Sequence, residues 1–316
     1  MAVRLAGADT LHLARTLHSG QTFRWTSHAA EGGATLATGV VGRTVFRLRQ
    51  DDRGLWLLAP KAVDARAYLR RYLGLAGESG TVDRIEAALS SDAVLARVLR
   101  HTRGTGILAQ DPWEVLISFI ISQNNNIPKI RQSIERLARA LGAPLDGGAF
   151  AFPSPERLAR AHLRTLAACL LGYRAPYVRA AARLVAERRI DLSALAASSP
   201  DHARDCLLGI PGVGEKVADC VLLFGLRHTT AFPVDVWVQR AVERLYFHGR
   251  PRTVRQVQGF ARARFGDLAG YAQQHLFCYA RVHLRPKQQG PRRIRPGPSL
   301  PYRVDGPVGA SSPATV

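Results

Sequence analysis

Lysine is scarce in this sequence of 316 residues. Of its 44 basic residues only Lys61, Lys129, Lys216 and Lys287 are lysines, which leaves 40 arginines. Where a lysine persists in so arginine-rich a chain, the position can require what a guanidinium lacks, an amine able to lose its proton. Lys61 and Lys287 read as plain solvated charges. Acidic residues are also few: 24 against 44 basic ones give a net charge of +20 and a pI of about 11. Such a surface seeks a polyanion, and nucleic acid ranks before an anionic membrane because no lysine-rich amphipathic helix is present. Long hydrophobic runs are missing too. Stretches such as Val115 to Ile121 fall far short of the roughly 20 residues a membrane span needs. Met1 to Leu17 interleaves Arg4, Asp9, His12 and Arg15 with its apolar residues, so no secretory signal is read there. A cytoplasmic location is expected, on the nucleoid if the source is bacterial. The four cysteines, Cys169, Cys206, Cys220 and Cys278, match neither paired CxxC zinc spacing nor an iron–sulfur run. They read as buried or individually reactive thiols, and no cofactor is expected.

With 47% hydrophobic and 22% charged residues the chain is of ordinary globular composition, with room for two or three domains. Two short β-type runs, Thr44 to Leu48 and Leu55 to Leu58, flank a turn at Asp51 to Gly54. They predict a small antiparallel sheet within an N-terminal β-rich domain over residues 1–75. Beyond Val63 the pattern is helical over 63–74, 81–89, 92–101, 112–122, 126–141, 155–170, 174–187, 200–208, 215–226, 234–246, 253–264 and 268–283. Residues 76–285 are therefore read as helical domains of a mostly α, α+β protein. Residues 286–316 hold seven prolines and four glycines and read as a disordered basic tail of net charge +4.

The most informative segment is Leu207-Leu208-Gly209-Ile210-Pro211-Gly212-Val213-Gly214-Glu215-Lys216. Two helices meet there at a tight glycine loop, whose exposed N–H groups at a helix start favour an anion such as a DNA phosphate. A lone GxG would read as a capped turn; the full IPGVG between amphipathic helices in a basic chain favours the phosphate. Lys216 follows in the first turn of the second helix, and Asp235 lies 19 residues on, after Pro233, at the expected start of another helix. Lys216 could be a phosphate contact and Asp235 an N-cap. Lysine scarcity favours a nucleophilic amine, and capping is compatible with a catalytic role for Asp235.

These residues resemble the helix–hairpin–helix DNA glycosylase superfamily, and within it the 8-oxoguanine DNA glycosylases. Four more segments carry the narrower resemblance: Gly20-Gln21-Thr22-Phe23-Arg24-Trp25, Ser122-Gln123-Asn124-Asn125-Asn126, Gly172-Tyr173-Arg174-Ala175-Pro176-Tyr177 and Tyr271-Ala272-Gln273-Gln274-His275-Leu276-Phe277. The resemblance implies a bifunctional DNA glycosylase and AP lyase that rotates 8-oxoguanine out of the duplex. Lys216 would attack C1′ and form a Schiff base, with Asp235 orienting it and stabilising positive charge on the sugar. Gly20 would read the oxidised base through its carbonyl, Gln273 would bond its Watson–Crick edge, and Cys220 and Phe277 would sandwich it. Gly212 and Gly214 would contact phosphate. Asn124, Lys129, Tyr173 and Arg174 would fill the emptied stack and hold the orphaned cytosine, Arg174 through its fork. Lys129 stands where eukaryotic relatives carry a second arginine, which loosens the expected selection for cytosine. Trp237 stands where they carry a histidine. The carbonyls of Leu208, Ile210 and Val213 could hold a monovalent cation. The expected partner is double-stranded DNA containing 8-oxoguanine, bound by a monomer with no membrane association. The alternatives are a noncatalytic helix–hairpin–helix DNA-binding module or a glycosylase for another damaged base. Relatives acting on adenine or oxidised pyrimidines usually carry a four-cysteine cluster missing here, and alkylbase relatives lack the lysine at position 216.

Overall fold

The computed structural model describes residues 2–59, 64–75 and 81–284. The expected basic tail lies outside these residues. The N-terminal part is a five-stranded antiparallel sheet in the order β1-β5-β4-β3-β2. Its strands are β1 (Ala2–Arg4), β2 (Trp25–Ala29), β3 (Thr35–Val41), β4 (Thr44–Asp51) and β5 (Gly54–Leu58). Alternation decides which face is covered: Phe46 and Leu48 of β4 are buried while Arg47 and Arg49 point to solvent. Trp25 lies flat over Gly39 of β3, where a Cβ would sit 2.2 Å from its ring, and its indole N–H donates to Tyr72 Oη at 2.8 Å. Helices α1 (Leu13–Leu17) and α2 (Ala65–Tyr72) close this core through Leu13, Leu17 and Leu69.

The expected sheet is thus present and larger than the two runs suggest. β1 is three residues long and β2 is a polar edge strand with only Trp25 buried, so neither carries an alternating apolar signature.

The helical part follows as α3 (Thr81–Leu89), α4 (Ala93–Thr102), α5 (Pro112–Ile121), α6 (Ile127–Leu141), α7 (Pro155–Arg160), α8 (Leu163–Ala168), α9 (Ala175–Ala186), α10 (Leu192–Ala197), α11 (Pro200–Leu208), α12 (Glu215–Phe224), α13 (Val236–Tyr246), α14 (Val254–Phe265) and α15 (Ala269–His283). The helix expected over 155–170 is broken. Leu158 and Leu166 are eight residues apart, about 80° around a continuous helix. Extended backbone at Ala161 and His162 separates α7 from α8 and lets both leucines be fully buried.

Two helical cores result. One surrounds α5, which is buried from Val115 to Ile121 with Ser118 as its one polar residue there, and touches α6, α9, α10 and α12. The other joins α4 to α13, α14 and α15. Among the described residues, no helix is long and apolar enough to cross a membrane.

Candidate active site

Residues of both helical cores and of the Gly20 turn line a cleft of about 860 Å³. Helix α12 supplies one wall. Its N-cap, Gly214, makes no side-chain capping bond, and nothing lies within 4 Å of where a Cβ would stand, so its first-turn N–H groups remain open to an anion. Lys216 and Cys220 follow one turn apart and both line the cleft. Lys216 is half-buried; its Nζ donates to Ser122 Oγ at 3.3 Å and sits 4.8 Å from the Phe119 ring centroid. Ser122 donates its own proton to the Phe119 carbonyl at 2.8 Å, so its oxygen is left as an acceptor for the amine.

Asp235 faces the same space from the start of α13. It caps that helix: Oδ1 accepts from the N–H groups of Trp237 at 3.0 Å and Val238 at 2.8 Å. Burial pushes its carboxyl above the ordinary carboxylate range, against the pull of the Val238 N–H, the Lys216 ammonium and the Trp237 N–H. Burial also pushes the Cys220 thiol up to about 12, with Lys216 opposing. Cys220 is therefore a neutral, apolar wall rather than a nucleophile. Trp237 lines the cleft as well and packs on the second helical core, beneath Arg240.

Helix α15 and the Gly20 turn add the remaining surfaces. Gly20 has φ +81°, and a Cβ there would lie 3.0 Å from Phe277 Cε1. The backbone of this turn can therefore approach a ligand next to the phenyl ring. Gln274 donates to the Ser19 carbonyl at 3.0 Å and holds the turn in place. Gln273, one residue earlier, is 4% exposed and its Oε1 has no protein partner. A buried acceptor left open on a cleft is a position for a ligand donor.

Lys216, Asp235, Gly20, Cys220, Gln273, Phe277, Asn124 and Gly214 all line this one cleft. Lys129, Tyr173, Arg174 and Gly212 do not. Lys129 is exposed in the first turn of α6. Gly212, at φ +82°, packs under Tyr177 in the hairpin, and its carbonyl accepts from Gln123 at 2.9 Å, which ties the hairpin to the Asn124 loop. Arg174 departs from its expected outward fork: it is 8% exposed and donates to the backbone carbonyls of Gln123, Asn124 and Leu171. Of the hairpin carbonyls at 208, 210 and 213, that of Ile210 already accepts from the Val213 N–H at 2.9 Å. Among the described residues, no three His, Cys, Asp or Glu side chains gather as metal ligands.

Three cleft residues, Phe119, Ser122 and Arg281, stand outside the roles expected from the sequence. Arg281 lies 5.5 Å from the Phe277 ring, and its charge acts on Asp235. Its spacing of four from Phe277 on one helix is the available signal. Phe119 and Ser122 come to Lys216 from nearly a hundred residues away in the chain, and no local pattern announces that.

Known proteins match this arrangement along most of the chain. The model of the 8-oxoguanine DNA glycosylase N-terminal domain matches residues 5–116, and that of the HhH-GPD superfamily base excision DNA repair protein matches residues 117–265. A probable N-glycosylase/DNA lyase of Methanothermobacter thermautotrophicus is 39% identical over 213 residues, covering 60% of this chain and 68% of that protein. The structure of MBOgg1 in complex with a low-affinity DNA ligand superposes with a TM-score of 0.81 at 39% identity, covering 89% of this chain and 95% of that one. The Clostridium acetobutylicum 8-oxoguanine glycosylase/lyase, solved with double-stranded DNA containing cytosine opposite 8-oxoG, gives 0.79 at 31% identity, with 86% and 92% covered. Its sheet, its helical hairpin and these matches across both halves place the chain in the 8-oxoguanine DNA glycosylase family of the HhH-GPD superfamily.

Proposed function

We propose that this protein extrudes 8-oxoguanine from duplex DNA into the cleft and excises it with Lys216 as nucleophile. The observation that carries the reading is that the Lys216 amine and the unpartnered Gln273 Oε1 open into one cleft. A reacting sugar and the edge of its base would need both. The Nζ lone pair forms a bond to C1′ as the glycosidic bond breaks, and the bonding pair leaves with the base, which takes up a proton. That proton comes from nitrogen; the C1′–O4′ bond then breaks with its pair on O4′, which takes up the second nitrogen proton, and the nitrogen lone pair closes the C1′=N Schiff base. Abstraction of a proton from C2′ then expels the 3′ phosphate by β-elimination.

Asp235 serves this reaction as a carboxylate beside developing positive charge. Gly20 supplies a carbonyl to the N7–H that only the oxidised base carries. Cys220 and Phe277 supply apolar surfaces for stacking, and Asn124 enters the space the base vacates. The open N-terminus of α12 takes a phosphate, and a monovalent cation at the carbonyls of 208, 210 and 213 would add positive charge there. One chain supplies every group named, in keeping with a monomer acting wherever the DNA is held. A purely DNA-binding role would use the hairpin and the charge but would leave the enclosed Lys216, Asp235 and Gln273 without a task.

Borohydride trapping on a duplex with a single 8-oxoguanine tests the reading. Wild type is expected to form a covalent adduct, and Lys216→Gln to form none while binding DNA within a few-fold, since phosphate contacts dominate affinity. Undiminished trapping by Lys216→Gln removes Lys216 as nucleophile.

A further inference from the structure

Helix α12 borders two cavities. Lys216, Val217, Cys220 and Phe224 face the cleft, while Asp219 and Leu222 face a second cavity of about 390 Å³ between α11, α12 and α14. Asp219 is 1% exposed, and each of its oxygens is taken by a different helix. Oδ1 accepts from the guanidinium of Arg204 on α11, whose Nη2 also donates to Glu215 Oε2 at 3.0 Å. Oδ2 accepts from Gln258 Nε2 on α14 at 2.7 Å. Burial pushes the Asp219 carboxyl up to about 6, against the pull of Arg204 and Gln258, so it stays largely ionised at neutral pH. Val257 and Ala261, beside Gln258 on α14, belong to the core that also holds α13 and α15, whereas α12 belongs to the core around α5. The Asp219 carboxylate therefore joins the two helical cores whose residues line the cleft.

We propose that Asp219 is a positioning residue: it fastens the helix that carries Lys216 to the core that carries Asp235 and Gln273, and so sets the amine against the sugar and base. A buried carboxylate is costly, and an apolar side chain of similar size would pack α12 at less cost, so the charge is explained by direction rather than by strength. One oxygen fixes α12 to α11 and the other fixes it to α14. An asparagine keeps a single acceptor and turns an amide N–H toward one of the two donors. Lys216 lies three residues before Asp219 on the same helix, so any slide or roll of α12 carries the amine with it. A misplacement of about 1 Å can cost on the order of a hundredfold in rate.

The inference rests on the proposed excision of 8-oxoguanine, and the experiment separates the two. Single-turnover excision at saturating DNA and affinity for the same lesion duplex are measured at neutral pH, below the Tm of every variant. Asp219→Asn is expected to lower the rate about tenfold to a hundredfold while affinity stays within about threefold, since phosphate contacts dominate binding. Gln258→Ala should act in the same direction and add less than about threefold in the Asp219→Asn background, because both break one tie. Gln258→Lys returns a donor to that position and should recover rate relative to Gln258→Ala. Val257→Ala is the control for stability: it removes buried methyl groups from α14 without touching the tie, so Tm should fall while the rate stays within about threefold. Should Asp219→Asn fail to fold, the two Gln258 variants decide. Wild-type rates in Asp219→Asn and Gln258→Ala, a loss confined to affinity, or an equal slowing by Val257→Ala overturns the inference. Absence of 8-oxoguanine release by wild type overturns the functional reading and this inference with it.

Discussion

Gly20 combines two constraints, a positive φ and a phenyl ring 3.0 Å from where its Cβ would stand. An alanine there strains the turn and crowds Phe277 in the cleft. Gly20→Ala should bind undamaged duplex as wild type does yet lose lesion preference by about tenfold or more, as a misplaced recognition group would. Competition binding with paired duplexes, one carrying 8-oxoguanine, reads this directly. Asp235 permits a test in which stability and rate move apart. Its carboxyl titrates above the ordinary value of 3.8, so its ionised form is disfavoured in the folded protein relative to the unfolded chain. That cost is present above the folded pKa and fades as pH falls through it. Asparagine caps a helix as well as aspartate. Asp235→Asn should therefore keep or raise Tm at neutral pH while single-turnover excision falls by about a hundredfold. Wild type should also lose rate on the acid side at a pH above that of a free aspartate, and the variant's residual rate should not follow that limb. A variant that is less stable and equally fast would reverse both assignments.

Within the hairpin element the glycines are not equivalent. At Gly212 a Cβ would meet Tyr177 Cγ at 2.4 Å on a left-handed backbone, while at Gly214 it would meet nothing within 4 Å. Gly212→Ala should displace the loop and weaken all DNA binding, damaged or not, by tenfold or more, roughly the 1–3 kcal/mol of a strained backbone position. Gly214→Ala should cost much less, and titration of both variants on one duplex gives the comparison. The hairpin is legible in the sequence because its signal is local: three glycines, a proline and two amphipathic flanks lie within one short segment. The same holds for the Asp235 cap and for most helices after residue 81. What escapes is non-local. The break between α7 and α8 follows from where Leu158 and Leu166 find a core, and the inward turn of Arg174 follows from carbonyls about 50 residues earlier. Neither is written in the residues next to it.

At the scale of the whole molecule, charge and chemistry are divided between parts. Residues 286–316 carry +4 of the +20, which leaves +16 on the rest, so the attraction to a polyanion belongs mainly to the body that holds the cleft. A chain ending at residue 285 should bind DNA more weakly at low salt. Its plot of log K against log salt should be shallower by at most about one unit for each phosphate the shortened chain leaves un-neutralised. Its single-turnover excision at saturating DNA should equal that of the full chain, and a slower rate would give the tail a part in the chemistry. The state of Cys220 reaches further. Peroxide and related oxidants attack thiolates, and a thiol pushed up to about 12 is ionised in roughly one molecule in a hundred thousand near neutral pH. Cys278 is held at about 12 as well, and burial raises Cys169. The oxidising conditions that create 8-oxoguanine would inactivate a repair enzyme whose base pocket contained a reactive sulfur. Here the sulfur that lines the cleft is held as a thiol, so excision should survive a peroxide pulse that consumes an ordinary exposed thiol.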